Sequence, residues 1–150
     1  MLDRVNVQND PVNLVDPSGL AGIAIDAGGG IGVGGYHDPK SKADTAATGV
    51  YIGAKKGGYA ELGAYSYQAQ TKIGGGKASL GLSLTIYYED AEKVLGGTSY
   101  IDTTTFGPVS HTWIYDECGN KIGRTFSLWG VGGGASFEKG KSEGTIIPLQ

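Results

Sequence analysis

Ala21-Gly22-Ile23-Ala24-Ile25-Asp26-Ala27-Gly28-Gly29-Gly30-Ile31-Gly32-Val33-Gly34-Gly35-Tyr36 runs on a two-residue beat. One parity carries Ile23, Ile25, Ala27, Ile31 and Val33; the other carries Gly22, Ala24, Asp26, Gly28, Gly30, Gly32 and Gly34. Successive side chains of a strand point to opposite faces, so a strand here has one aliphatic face and one that is almost bare. A helix would scatter the same residues around its circumference, and no stretch of the chain sustains a helical period.

The beat recurs on both sides of this stretch. Val50, Ile52 and Ala54 alternate with Gly49, Tyr51 and Gly53, and Leu62 and Ala64 alternate with Glu61, Gly63, Tyr65 and Tyr67. Ala78, Leu80, Leu82, Leu84 and Ile86 form an apolar row against Ser79, Gly81, Ser83, Thr85 and Tyr87, the cleanest strand pattern in the chain. Residues 110–116 and 121–129 are β-rich runs joined by Glu117-Cys118-Gly119-Asn120, a hairpin signal with Gly and Asn available for positive φ. Residues 55–58, Gly74-Gly75-Gly76 and Gly96-Gly97 read as tight turns between strands, and residues 37–48 as a polar excursion with a helical turn near 44–47. A final glycine run, 130–134, leads into Ala135-Ser136-Phe137, and residues 144–149 close the series. The expected fold is all-β: a glycine-rich antiparallel meander of about seven or eight strands, an up-and-down barrel or, with the same alternation, a two-sheet sandwich.

Glycine supplies 28 of the 150 residues, far above the usual share of about 7 %. Each glycine in a strand interior costs roughly 0.5 to 1 kcal/mol, so the cluster between Gly22 and Gly35 costs about 3 to 7 kcal/mol, comparable to the whole stability of a domain. Close backbone approach, coiled strand corners, or tyrosine rings lying over bare glycine could offset that. Nine tyrosines, several on the glycine parity, fit the last of these.

Composition narrows the function classes. The net charge is −3, and residues 21–150 hold 11 basic against 12 acidic residues, with Lys55-Lys56 the one adjacent basic pair. A surface that binds nucleic acid by neutralising phosphates is not expected from such a balance. Cys118 is the single cysteine, so no internal disulfide forms, and zinc-ligand spacing cannot be met. No cofactor or metal is expected. No apolar run is long enough for a membrane helix, and Met1-Leu2-Asp3-Arg4 does not open a secretory signal, so export is expected to be directed by an upstream part.

Candidate chemistry is sparse. His111, Asp116, Glu117 and Cys118 lie close in sequence, but a strand from 111 to 116 followed by a turn puts His111 and Cys118 roughly 20 Å apart, beyond hydrogen-bond reach. His37 and Tyr36 could join His111 and Asp26 in a catalytic set only through the fold. Asp26, on the bare parity, is expected to be solvent-exposed or hydrogen-bonded to a tyrosine. The Gly-x-Gly spacings of residues 28–34 lack the following helix of a dinucleotide fingerprint. Strands of this length with one aliphatic face meet the requirement for membrane-spanning hairpins, yet the same alternation fills the core of a soluble barrel. Lys55, Lys56, Glu61, Lys72 and Lys77 interrupt or flank the apolar rows, which favours the soluble barrel.

Ahead of the alternating strands stands Asn9-Asp10-Pro11-Val12-Asn13-Leu14-Val15-Asp16-Pro17-Ser18-Gly19-Leu20, with Asp16-Pro17-Ser18-Gly19 reading as a turn. Pro11, four residues, then Asp-Pro-x-Gly-Leu resembles the carboxyl end of the RHS/YD-repeat associated core domain. The resemblance covers residues 3–20. It implies that residues 1–20 are the end of a hollow β-shell and that 21–150 are the variable effector domain it encloses. It further implies cleavage of Leu20-Ala21 with Asp16 as one of the acting acids, since one carboxyl can donate a proton while another accepts one. By the same resemblance, the partners are the upstream shell, a cognate immunity protein, and a target membrane or surface receptor, and the effector is secreted or delivered into a competing cell. A non-enzymatic toxin acting by binding or membrane disturbance is the leading expectation. A hydrolase or transferase toxin with a site assembled from distant residues, and a surface adhesion module, are the alternatives.

Overall fold

The structure, a computed structural model, describes residues 21–35, 41–54 and 60–149. Its elements are β1 (Gly22–Gly34), β2 (Lys42–Ala54), β3 (Ala60–Tyr87), α1 (Ala91–Val94), β4 (Gly97–Gly107), β5 (Val109–Tyr115) and β6 (Lys121–Pro148). All the ladders are antiparallel and belong to one sheet, in the order β1-β2-β3-β6-β4-β5.

Two strands organise the rest. β3 and β6, 28 residues each, pair with one another along one edge. The second edge of β3 is shared, residues 60–71 bonding β2 and residues 75–87 bonding β1. β6 repeats this arrangement, with residues 121–128 against β5 and 134–144 against β4. Because β1 also pairs with β2, and β4 with β5, the ladders close into a ring. The ring has eight segments: four short strands and two halves of each long one. Closure pairs each described strand along most of both its edges, which leaves little free edge there to recruit another chain.

The fold is therefore the all-β antiparallel arrangement expected, with the anticipated strand number met by segments of six strands. Gly74-Gly75-Gly76 is a corner within β3 and not a turn between strands. There β3 leaves β2 and joins β1, and Gly75, at φ 102°, takes a backbone conformation that side-chain-bearing residues rarely adopt. The run 130–134 is the matching corner of β6, where Gly132 sits at φ 85° and the β3 ladder slips by one residue. Residues 44–47 are part of β2 and not a helical turn, each being held in ladders to β1 and β3. Residues 117–120 form the expected hairpin, with Gly119 at φ 84°. The turn at residues 55–58 lies outside the described residues.

The two faces of the wall are the reverse of a core-filled barrel. The glycine and tyrosine parity points inward, burying Ala24, Tyr51, Tyr65, Tyr87, Ile101, Ile114 and Ile122 beneath α1. The aliphatic parity points outward: Ile31 is 67 % exposed, Val33 76 % and Leu82 61 %. Glu61 and Lys77 lie on the inward parity and are buried, so neither interrupts an apolar row. A ring whose long strands turn two corners encloses a narrow lumen, where glycines leave room for the large inward side chains such as Tyr51, Tyr87, Ile73 and Trp129. Tyrosine over glycine is the packing solution. A Cβ at Gly22 would meet the Tyr87 ring, and one at Gly63 would meet the Tyr51 ring.

Candidate functional site

The lumen is lined largely by hydroxyls and crossed by three buried polar links. The Lys77 ammonium in β3 sits 2.8 Å from the Glu138 carboxylate in β6 and donates to Thr45 Oγ1 in β2 at 3.1 Å, while Thr71 donates to Glu138 at 2.8 Å. Tyr65 donates to Asp26 at 2.5 Å. At the lower end the Tyr87 hydroxyl and the Ala91 N–H both donate to Glu61, at 3.3 and 3.2 Å, so the carboxylate ties α1 to the barrel floor. Burial pushes the Asp26 carboxyl above its ordinary pKa, against the opposing pull of Tyr65 and Ser83. Burial, reinforced by Asp26, pushes the Tyr65 hydroxyl up as well. A cavity of about 70 Å³ inside the lumen, lined by Tyr65, Lys77, Thr85 and Glu138 among others, accommodates a few waters.

The outer wall divides into two panels. One comprises β1, the second half of β3, the first half of β6, and β5. Its outward residues align in rows: Ile25, Leu84, Phe126 and His111, then Ala27, Leu82, Leu128 and Val109. The apolar surface runs on around one edge through Ile23, Ile52 and Leu62. The second panel comprises β2, the first half of β3, the second half of β6, and β4. Its rows read Gln70, Lys141 and Tyr100, then Gln68, Glu143 and Thr98, with Lys72, Lys139 and Asp102 above them. Phe106 and Phe137 are exposed aromatics on this side, and Val50 and Ile147 are exposed aliphatics at its lower end.

The predicted site residues do not converge. Asp26 faces the lumen and bonds Tyr65, the second of its two expected states, whereas His111 lies on the outer wall beside Trp113 and Phe126. A catalytic pair of Asp26 and His111 is thus separated by the barrel wall. His37, Tyr36, Asp16 and Leu20 lie outside the described residues. Ala21, on the far side of the predicted scissile bond, is held at the lower rim: its N–H donates to Tyr87 O and its carbonyl accepts from Ala54 N, both at 2.8 Å. Among the described residues no three His, Cys, Asp or Glu side chains stand close enough to hold a metal ion.

Comparison with protein-family models, curated proteins and solved structures finds no match to this chain. The barrel's most unusual property for a water-exposed protein is a contiguous apolar panel spanning four strand segments, the kind of surface that marks contact with a protein partner or a membrane. Sequence reading grouped these residues correctly on one face and then assigned that face to the core. It missed the cluster of Lys121, Arg124 and Trp113 altogether. The signal for that cluster was available in the hairpin at 117–120, whose register places Trp113 opposite Arg124.

Proposed function

We propose that residues 21–150 are a non-enzymatic effector that acts at a lipid bilayer, seated on it by the apolar panel. The observation that carries this reading is the outward display of Ile23, Ile25, Ile31, Leu80, Leu82, Leu84 and Leu128 around a polar lumen, which is the polarity of a membrane barrel on half of the circumference. The other half, rich in Gln, Lys and Thr, could not face hydrocarbon without a large desolvation cost. One-sided embedding, with the polar panel in water, satisfies both. Release from an RHS-type shell at Leu20-Ala21 remains part of the proposal on the strength of the 11–20 resemblance, and hydrogen bonding of Ala21 into the barrel rim is compatible with an effector that begins there.

Dye-loaded phospholipid vesicles test the reading. The full chain is expected to co-sediment with vesicles and to release dye at micromolar concentration. Intact vesicles with all protein left in solution would overturn it. A dimer found by analytical ultracentrifugation that persists in the presence of lipid would instead give the panel to a second copy of the chain.

A further inference from the structure

The apolar panel ends, at its lower border, in a compact cationic and aromatic cluster. Lys121 Nζ lies 4.1 Å from the centroid of the Trp113 ring, and the Arg124 guanidinium carbon lies 4.5 Å from the same ring and 4.7 Å from that of Phe126. Arg124 Nε donates to His111 Nε2 at 3.2 Å, which fixes the plane of the guanidinium and leaves its two terminal nitrogens for another acceptor. His111 can accept because burial first, then the charges of Arg124 and Lys121, hold its pKa below the ordinary value and keep the ring neutral.

Neither cation is paired with a carboxylate among the described residues. Two of the acids near in the ladder and the hairpin are engaged elsewhere: Asp102, opposite Trp113, lies 4.0 Å from Lys139, and Asp116 accepts from Cys118 N and Asn120 N and sits 3.9 Å from Lys93; Glu117, also in the hairpin, forms no ion pair with either cation. Two cations on one aromatic platform, neither paired with a carboxylate among the described residues, form an anion site, and a guanidinium fork suits a phosphate best.

A second feature adjoins it. A shallow trough on the panel is lined by Ile25, Leu82, Leu84, Val109, Phe126 and Leu128. Phe126 belongs to both, touching Arg124 with its face while forming part of the trough. Charge at one end and a hydrocarbon groove leading away from it is the shape of a phospholipid. Trp, Arg and Lys at such a border are also the residue types that settle at the headgroup level of a bilayer.

We infer that Arg124 and Lys121, seated on Trp113, bind the phosphate of an anionic phospholipid whose acyl chain lies along Phe126, Leu84 and Leu82. This rests on the bilayer reading of the panel and adds headgroup selectivity to it. Free phosphate lacks the chain and gains nothing from the trough, so the lipid is the occupant.

The test is co-sedimentation of the full chain with vesicles of phosphatidylcholine alone and of phosphatidylcholine mixed with phosphatidylglycerol, at fixed ionic strength. The wild type is expected to prefer the anionic vesicles. Joint replacement Lys121→Gln and Arg124→Gln should reduce that preference about 25-fold, roughly fivefold per lost charge, while binding to neutral vesicles stays as it was. Arg124→Lys alone should keep part of the preference, and far-UV circular dichroism checks that each variant is folded. Inorganic phosphate at millimolar concentration should not displace the protein from the mixed vesicles. Equal wild-type binding to both vesicle types, an unchanged preference in the folded double variant, or displacement by phosphate alone would each overturn the phospholipid site and leave the apolar panel as the membrane contact. Absence of binding to either vesicle would overturn the panel reading and this inference with it.

Discussion

The panel of β1 and β5 and the panel of β2 and β4 share the same two long strands and line one lumen, yet their outer surfaces differ in character. Leu82 and Leu84 in the second half of β3 face out on the first; Gln68 and Gln70 in its first half face out on the second. One strand therefore changes the character of its outer face as it turns the corner at Gly75, while its inner face stays buried on both sides of that corner, from Tyr65, Ala69 and Ile73 to Lys77 and Thr85. The inner face is constrained by the fold, because each side chain there must fit beside those of the opposite wall. The outer face is free of that constraint.

The links between the panels offer the largest test of this division. Lys77 lies in the apolar panel, Glu138 in the polar one, and their side chains are 3 % and 1 % exposed. Lys77→Met leaves Glu138 buried without its counter-charge and is expected to destabilise the barrel by about 3 to 5 kcal/mol in urea unfolding. Lys139→Ala, which breaks the 4.0 Å surface contact with Asp102, should cost no more than about 0.5 kcal/mol. Similar losses in the two variants would mean that the lumen does not hold the panels together.

A charge placed on each outer surface sharpens the comparison next. Leu82→Lys should weaken vesicle binding about a hundredfold, from roughly 3 kcal/mol for a charge on a lipid-facing surface, with unfolding unchanged. Gln68→Lys should leave vesicle binding where it was. Equal effects at the two positions would erase the distinction between the panels.

Packing inside the ring is a smaller lever. Gly63→Ala drives a methyl group against the Tyr51 ring and the Ile147 carbonyl, and is expected to cost about 1 to 3 kcal/mol by thermal or chemical unfolding. The same change at Gly119 in the exposed hairpin meets no neighbouring atom, so any loss there comes from its positive φ alone.

The smallest effect is one of pH. Burial holds the folded pKa of Asp26 above the ordinary carboxylate value, so its contribution to stability is full below that ordinary value and is lost as the pH rises through the folded one. Asp116 runs the other way: backbone hydrogen bonding from Asn120 foremost lowers its pKa, so its contribution is present above the unfolded value and lost as the pH falls through the folded one. Asp26→Asn should therefore remove the decline on the alkaline side and leave the acid limb intact. A stability profile for this variant that matches the wild type would show that burial does not raise the Asp26 pKa.

Much of this molecule could be read along the chain because it depends on neighbours in sequence. Alternation sets which residues share a face, as in Ile23 and Ile25 against Ala24 and Asp26, and turn chemistry sets the 117–120 hairpin, which in turn aligns Trp113 with Arg124. Those consequences follow from strand geometry and local φ preferences, which act over a few residues. Which face would be inside could not follow from alternation, since both parities satisfy it equally. That choice depended on how tightly the ring closes, and therefore on pairings such as Ile25 with Leu84 and Tyr67 with Gly144, made between residues far apart in the chain. The corners at Gly75 and Gly132 looked like turns for the same reason: glycine announces a change of direction locally, and whether the strand ends there or folds on into the next ladder is settled by the partner that receives it.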